Sequence, residues 1–215
     1  MTLKVSRLKK INMYKFPYYT EQDNQKVIAF MKENAFALIT GMGEQYPVAT
    51  QIPLSIEIKE DKIFLHGHLM RKTDHHLAFE KNNNVLVLFT GPHCFVSASW
   101  YTTPAIGSTW NYITVHAKGK ITFTDEEGTR NVVKAVSDKY EGTGTDGSFD
   151  NLPKEYIDHM VKAIVGFSIE VESIDNVFKL SQNRDVTSQL NIIEQLKKRG
   201  DYNSAAIAVE MEKRL

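Results

Sequence analysis

Cysteine is nearly absent from this sequence of 215 residues, in which Cys94 is the only one. A single thiol cannot close an internal disulfide, so the chain is not a disulfide-stabilised scaffold. This cysteine content is typical of proteins kept in a reducing compartment and predicts a cytoplasmic location. Cys94 lies in an apolar run, which favours a buried structural thiol over a nucleophile.

Long hydrophobic runs are also missing. No stretch is long and apolar enough for a transmembrane helix or for the core of a signal peptide, so no membrane role is expected. The first twelve residues instead carry four basic side chains, and residues 1–12 are predicted to form a loosely ordered basic tail.

The sequence has no excess charge of either sign. Lys plus Arg and Asp plus Glu each number 26, which gives no global attraction to nucleic acid or to a membrane surface. The P-loop, the Rossmann fingerprint and the Gly-x-Ser-x-Gly motif are absent, and acid–base catalysis has no clear signature. Four histidines lie within residues 66–76, but without a matching set of cysteines or carboxylates a metal site is disfavoured.

The order of elements points to a mainly antiparallel fold. Strand patterns occupy the middle of the chain, helices surround them, and the two do not alternate, which argues against a doubly wound parallel sheet. An antiparallel barrel with helices outside is therefore predicted. The predicted helices cover residues 21–34, 74–82, 126–139, 152–163, 187–199 and 204–214. The predicted strands cover residues 35–40, 46–58, 62–66, 85–90, 95–98, 112–123, 164–174 and 177–180.

The most informative segment is residues 64–76, where an apolar strand leads into Arg71, Lys72 and Thr73. An Arg fork beside a Lys point charge suits a dianionic phosphate monoester. Thr73 adds a hydroxyl, and the N-terminus of the following helix adds N–H groups. Taken alone, the same residues also fit an ordinary charged turn exposed to solvent.

Three further segments supply walls for a flat ligand. Residues 97–101 and 108–112 combine aromatic rings with short hydrogen-bond donors, an arrangement that fits either a stacked heteroaromatic ring or core and interface packing. Residues 178–184 place a series of donors directly after a strand, where they could contact a cofactor edge or open a helix.

Taken together, these motifs resemble the PaiB family of FMN-binding split-barrel proteins, which is related more distantly to the pyridoxamine-phosphate oxidases. The resemblance spans nearly the whole chain after Met13. It is carried by Met13-Tyr14 with Pro17, Gly91-Pro92-His93, Ser97-Ala98-Ser99-Trp100-Tyr101, Thr109-Trp110-Asn111-Tyr112, Val115-His116, Lys139-Tyr140-Glu141, Ile164-Val165-Gly166-Phe167 and Lys179-Leu180-Ser181-Gln182-Asn183-Arg184.

The resemblance implies a six-stranded antiparallel split β-barrel over residues 13–186, with peripheral helices, and a C-terminal helical pair over residues 187–215 packed on the barrel. It also implies a homodimer with one FMN per subunit at the interface. In the wider superfamily a Ser-Arg-Lys turn grips the flavin phosphate, and here Met70 replaces the Ser. The implied FMN contacts are Arg71, Lys72, Thr73, Thr50, Gln51, Ile52, Pro53, His66 and, from either the same or the partner subunit, Trp110, Asn111, Gln182 and Arg184.

The expected function is that of an FMN-binding protein resembling PaiB-type negative transcriptional regulators. One alternative is an FMN-dependent oxidoreductase, either a flavin reductase or a pyridoxamine-phosphate oxidase-like enzyme, that acts on a small-molecule substrate or electron donor. Another is a haem-binding or cofactor-free split barrel. Nucleic-acid binding follows from family analogy alone, because the apolar spacing of the C-terminal helix pair indicates ordinary packing.

Overall fold

One antiparallel sheet organises the molecule, and the prediction of a mainly β fold with helices is confirmed. The computed structural model describes residues 16–215, so the predicted basic tail at residues 1–12 lies outside the described residues. The described residues form seven strands: β1 (Phe36–Met42), β2 (Pro47–Pro53), β3 (Ser55–Lys59), β4 (Lys62–Met70), β5 (Asn84–Val96), β6 (Thr109–Phe123) and β7 (Ile164–Lys179). Their order in the sheet is β2-β1-β5-β6-β7-β4-β3.

Six α-helices surround this sheet in the part of the chain from residue 16 onward. They are α1 (Asn24–Glu33), α2 (Asp74–Lys81), α3 (Glu126–Tyr140), α4 (Lys154–Ala163), α5 (Val186–Arg199) and α6 (Tyr202–Glu212). None of them is long and apolar enough to cross a membrane.

The count of six strands implied by the resemblance is wrong, because the sheet has seven strands in the described residues. The segment predicted as one strand over residues 46–58 is two strands. Pro53 has no N–H to donate to a ladder. At Leu54 the side chain turns into the core, and its N–H donates to the carbonyl of Ala35 at 2.9 Å. Strand β2 therefore pairs with β1, and β3 pairs with β4. Because β2 and β3 stand at opposite ends of the strand order yet are joined by one residue, the sheet must curl back on itself.

Two pairs of segments that were predicted as separate strands are continuous strands in the structure. Residues 85–90 and 95–96 belong to one strand, β5, which passes through a bulge between Thr90 and His93 where Pro92 is tolerated, whereas residues 97–98 lie beyond its end. Residues 164–174 and 177–179 likewise belong to one strand, β7. Its polar residues are held in place there: Asp175 accepts from Lys118, and Asn176 exchanges hydrogen bonds with the backbone of Glu21.

Aspartates begin the helices that flank the sheet. Asp23 caps α1 at Asn24, later than the predicted start at residue 21, while Asp185 and Asp201 cap α5 and α6 by accepting from the backbone N–H groups of Ser188 and Ser204. An aspartate at this position satisfies N–H groups that a helix leaves unpaired. The C-terminal pair then packs its apolar face inward, with Leu196 and Ile207 fully buried.

Cys94 lies on the inner face of β5 and is 4% exposed. Burial raises the pKa of its thiol to about 11. The thiol therefore stays protonated at neutral pH, and only the thiolate is a strong nucleophile. A structural thiol is the interpretation that this environment supports.

Candidate functional site

Two positively charged side chains, Arg71 and Lys72, follow β4 directly and form what we call the first cationic corner. Neither forms an ion pair with another residue in the range 16–215. The N–H of Arg71 donates to the carbonyl of Ala163 at 2.9 Å, and its Nε donates to the carbonyl of Ile164 at 2.8 Å. These two bonds fix the guanidinium at the junction of β4 and β7. Its terminal nitrogens, and the ammonium of Lys72, make no hydrogen bond or ion pair to the residues described.

The backbone at Lys72 is strained. Its φ of 62° lies in the left-handed region that lysine rarely adopts. Backbone strain of this kind is concentrated at ligand-binding sites, because the surrounding structure must hold it in place. The hydrogen bond from the N–H of Lys72 to Nδ1 of His76, at 3.3 Å, provides part of that support.

Thr73 acts within the chain by starting α2. Its Oγ1 accepts from the N–H of His76 and lies 3.0 Å from the carbonyl of Met70, so this hydroxyl is already used. The carboxylate of Asp74 accepts from the N–H of His75, which holds its pKa below the ordinary value. This negative charge offsets part of the attraction that the first cationic corner exerts on an anion.

A second pair of cations lies at the far end of β7. Lys179 donates to Oγ1 of Thr109, and the guanidinium of Arg184 lies over the ring of Tyr101 at 4.5 Å. Burial, and then the charge of Arg184, lower the pKa of Lys179. Lys179 and Arg184, the second cationic corner, make no ion pair within the described part of the chain. Lys179 is not among the predicted contacts, although the series of donors over residues 178–184 contains it.

The other predicted contacts near this corner differ in exposure: Trp110 is exposed, and Asn111 is buried. Trp110 is 54% exposed and faces outward, with the rings of His93 and Phe95 each 6.2 Å away. Asn111 is fully buried, accepts from the hydroxyl of Ser181 and faces the sulfur of Met211.

The amide of Gln182 bonds the backbone of its own turn, at Leu180 and Phe178. The amides of Asn111 and Gln182 thus support this end of the sheet, and their direct contact with a cofactor stays a prediction.

Residues Thr50 to Pro53 form the second half of β2. Ser55 of β3 pairs with His66, and β2 also contacts β4, so the end of β2 lies beside the later part of β4. His66 itself is engaged, with Nε2 lying 2.9 Å from a carboxylate oxygen of Glu57. The structure therefore brings Thr50–Pro53 to the same part of the molecule as Arg71, Lys72 and Thr73.

The two cationic corners lie at opposite ends of one strand. Met70, just before the first corner, pairs with Ile164 at the start of β7, whereas Lys179 is the last residue of β7. Fifteen steps along an extended strand cover about 50 Å. A single mononucleotide is much shorter than this path, which favours separate ligands for the two corners of one protomer.

Comparison with known proteins decides the family. A family model described as "Putative FMN-binding domain" matches residues 13–173. The chain belongs to this FMN-binding family. It is 33% identical over 204 residues to the Protease synthase and sporulation protein PAI 2 of Bacillus subtilis (strain 168), a match that covers 94% of this chain and 98% of that protein.

Solved structures agree on the fold of this FMN-binding family member. The FAD and Heme binding protein from Mycobacterium smegmatis gives a TM-score of 0.59 at 12% identity, covering 86% of this chain and 81% of that one. The Flavocytochrome Anf3 from Azotobacter vinelandii gives 0.55 at 16% identity, covering 75% and 69%. At these identities the likeness establishes the fold alone.

The donors of the first cationic corner fit the phosphate of FMN. The free nitrogens of Arg71 and the ammonium of Lys72 can bond a phosphate monoester without breaking any contact among the described residues. Met70, at the position of the superfamily Ser, has no hydrogen to donate. The phosphate would therefore depend on the two cations more than in relatives that keep the Ser.

Two half-buried histidines on the sheet predict a pH-dependent stability. Burial lowers the pKa of His68 from 6.5, and burial is also the main cause at His116, where Lys118 adds to the effect and Asp175 opposes it. Below pH 6.5 the unfolded chain binds protons that the folded chain does not. The free energy of unfolding should therefore fall as the pH drops, by a slope of up to one proton per histidine.

Urea unfolding at about pH 7.5 and about pH 5.5 measures this slope. The midpoint is expected to be lower at the acid pH, and replacing both histidines by Gln should reduce the difference. Equal midpoints in the unmodified protein would contradict the assignment.

Proposed function

We propose that the protein binds FMN at the interface of a homodimer, with one protomer supplying the first cationic corner and its partner supplying the second. The observation that carries this proposal is the placement of two uncompensated cation pairs at opposite ends of β7. Each pair alone offers only part of a nucleotide site. In a dimer with a two-fold axis, the first cationic corner of each protomer can lie beside the second cationic corner of the other protomer. Such an arrangement would create two equivalent sites.

The outer face of the sheet supports an interface between copies. Phe36, Phe95 and Trp110 are large apolar side chains that point away from the core and are 63%, 42% and 54% exposed. Aromatic side chains are enriched at protein interfaces, and Trp in particular dominates their energetics. A second copy on this face would cover rings that one protomer leaves in water.

The bound flavin would supply redox chemistry, while the protein residues position it and control access to it. No acid–base group is placed beside Thr50–Pro53 in a way that assigns a reaction. An oxidoreductase is therefore the alternative to a purely flavin-binding role. Anaerobic mixing with NADH or NADPH separates them, because bleaching of the flavin absorbance supports a reductase and an unchanged spectrum argues against one.

Direct DNA binding draws little support from the C-terminal helices. The basic run at the end of α5 is already engaged: Lys197 pairs with Glu212, Lys198 pairs with Glu194, and Arg199 donates to the carbonyl of Phe95. A regulatory role would then act through a partner protein or through the flavin state. A steep loss of DNA affinity with salt would revive direct binding.

Titration of the flavin-free protein with FMN tests the proposal. Quenching of FMN fluorescence, with one FMN bound per chain, and a dimer in sedimentation velocity are the expected results. Absorbance of the purified protein distinguishes flavin from haem. A monomer that binds no FMN at micromolar concentrations would refute the proposed site.

A further inference from the structure

His68 occupies an unusual environment on the outer face of β4. Leu65, Gly67 and Leu69 point into the core, so the alternation of the strand turns His68 outward. Its Nδ1 is nevertheless enclosed and has no hydrogen-bond partner. Nε2 is not enclosed in this way and makes no hydrogen bond within residues 16–215.

The protonation state of this imidazole follows from its surroundings. Burial lowers the pKa of His68, so the ring is neutral near pH 7 and carries one N–H. Enclosing an unpaired N–H is costlier than enclosing a lone pair. The favoured tautomer therefore leaves the lone pair on Nδ1 and directs the N–H at Nε2 toward the open side.

His68 lies on β4 near both parts of the predicted FMN site. Ser55 pairs with His66, and the side chain of Leu54 packs against Gly67, so the end of β2 lies close to this part of β4. On its other side His68 pairs with Gly166, against which Thr124 and Thr129 pack closely, and this packing encloses that side of the strand. Arg71 follows three residues later, about 10 Å along the strand.

We propose that His68 is a cofactor contact whose Nε2–H donates a hydrogen bond to an acceptor atom of an FMN whose phosphate lies at Arg71–Lys72. This inference rests on the proposed FMN site. The five-carbon ribityl chain separates the flavin ring from the phosphate, and the spacing from His68 to Arg71 is of the same order. His66 lies two residues farther from the phosphate and is engaged by Glu57.

Two substitutions at one position test the contact in the full chain. His68→Leu removes the donor, and FMN affinity measured by fluorescence quenching is expected to fall about tenfold, since one well-placed hydrogen bond has this effect. His68→Gln keeps a donor near the position of Nε2 and should remain within about threefold of the unmodified protein. His159→Leu, on the exposed face of α4, should leave the affinity unchanged.

Stability separates a cofactor contact from a structural role. Because His68→Leu replaces an unpaired buried nitrogen by carbon, the flavin-free variant should unfold at the same urea concentration as the unmodified protein or at a higher one. Weaker FMN binding without loss of stability supports the inference.

Unchanged FMN affinity in His68→Leu overturns it, provided that the unmodified protein binds FMN and that Arg71→Ala/Lys72→Ala does not; the proposed site then survives. If the unmodified protein binds no FMN, the proposed function fails first, and the inference fails with it.

Discussion

Replacing Arg71 and Lys72 together by alanine is expected to lower the affinity for FMN at least tenfold. Hydrogen bonds to charged groups contribute about 1.5–3 kcal/mol each, and the replaced side chains are the two cations free to bond a phosphate at this corner. Met70 supplies no donor that could compensate. Fluorescence titration of the flavin-free double variant measures the loss directly.

The matched control is the double variant Lys197→Ala/Lys198→Ala, which removes two adjacent positive charges at the end of α5. Its FMN affinity should stay within about twofold, because exposed ion pairs contribute little. Since Nε of Arg71 also bonds the carbonyl of Ile164, urea unfolding of the flavin-free proteins must accompany the titration. Undiminished FMN binding by Arg71→Ala/Lys72→Ala would show that the phosphate lies elsewhere.

Mixing two variants that each fail to bind FMN tightly is expected to restore FMN binding. Arg71→Ala/Lys72→Ala destroys the first cationic corner, and Lys179→Ala/Arg184→Ala destroys the second. If each site takes one corner from each protomer, a mixed dimer has one intact site and one site with neither corner. After unfolding and refolding an equal mixture, about a quarter of all sites should bind FMN with the affinity of the unmodified protein.

Each variant refolded alone serves as the control and should recover no high-affinity sites. If both corners act within one protomer, mixing changes nothing, and the shared-site proposal is wrong even though FMN binding survives. A recovered fraction near one half would indicate a different sharing of residues, with both sites of the mixed dimer intact.

The sequence allowed the class of fold and the first cationic corner to be predicted, because both depend on local patterns. Alternation in residues 112–123 matches the buried and exposed faces of β6, and Arg71 and Lys72 follow directly from a strand that precedes a helix. The helices were found for the same reason, with errors of a few residues at their ends. The side chain of Asp23, for example, accepts from the N–H of Gln25 and sets the start of α1 at Asn24, three residues after the predicted start.

The remaining features depend on contacts between distant segments. No local signal distinguishes Asn111, fully buried against Ser181, from its exposed neighbour Trp110. A proline within a strand pattern, such as Pro53, indicates an irregularity, but the separation into two strands depends on the carbonyl of Ala35 accepting from the N–H of Leu54. His66 and His68 look equivalent in the sequence, but their surroundings differ. His66 lies beside the carboxylate of Glu57, whereas Nδ1 of His68 is enclosed without a partner.

The lone thiol on the inner face of β5 gives this protein a natural reporter of transient opening. Because Cys94 is enclosed and protonated, a disulfide reagent such as dithionitrobenzoate can modify it only in molecules that have opened around β5. The labelling rate at low denaturant therefore measures how often the interior is exposed. No engineered probe is needed, and any slowing of the reaction by a ligand measures how strongly that ligand holds the chain closed.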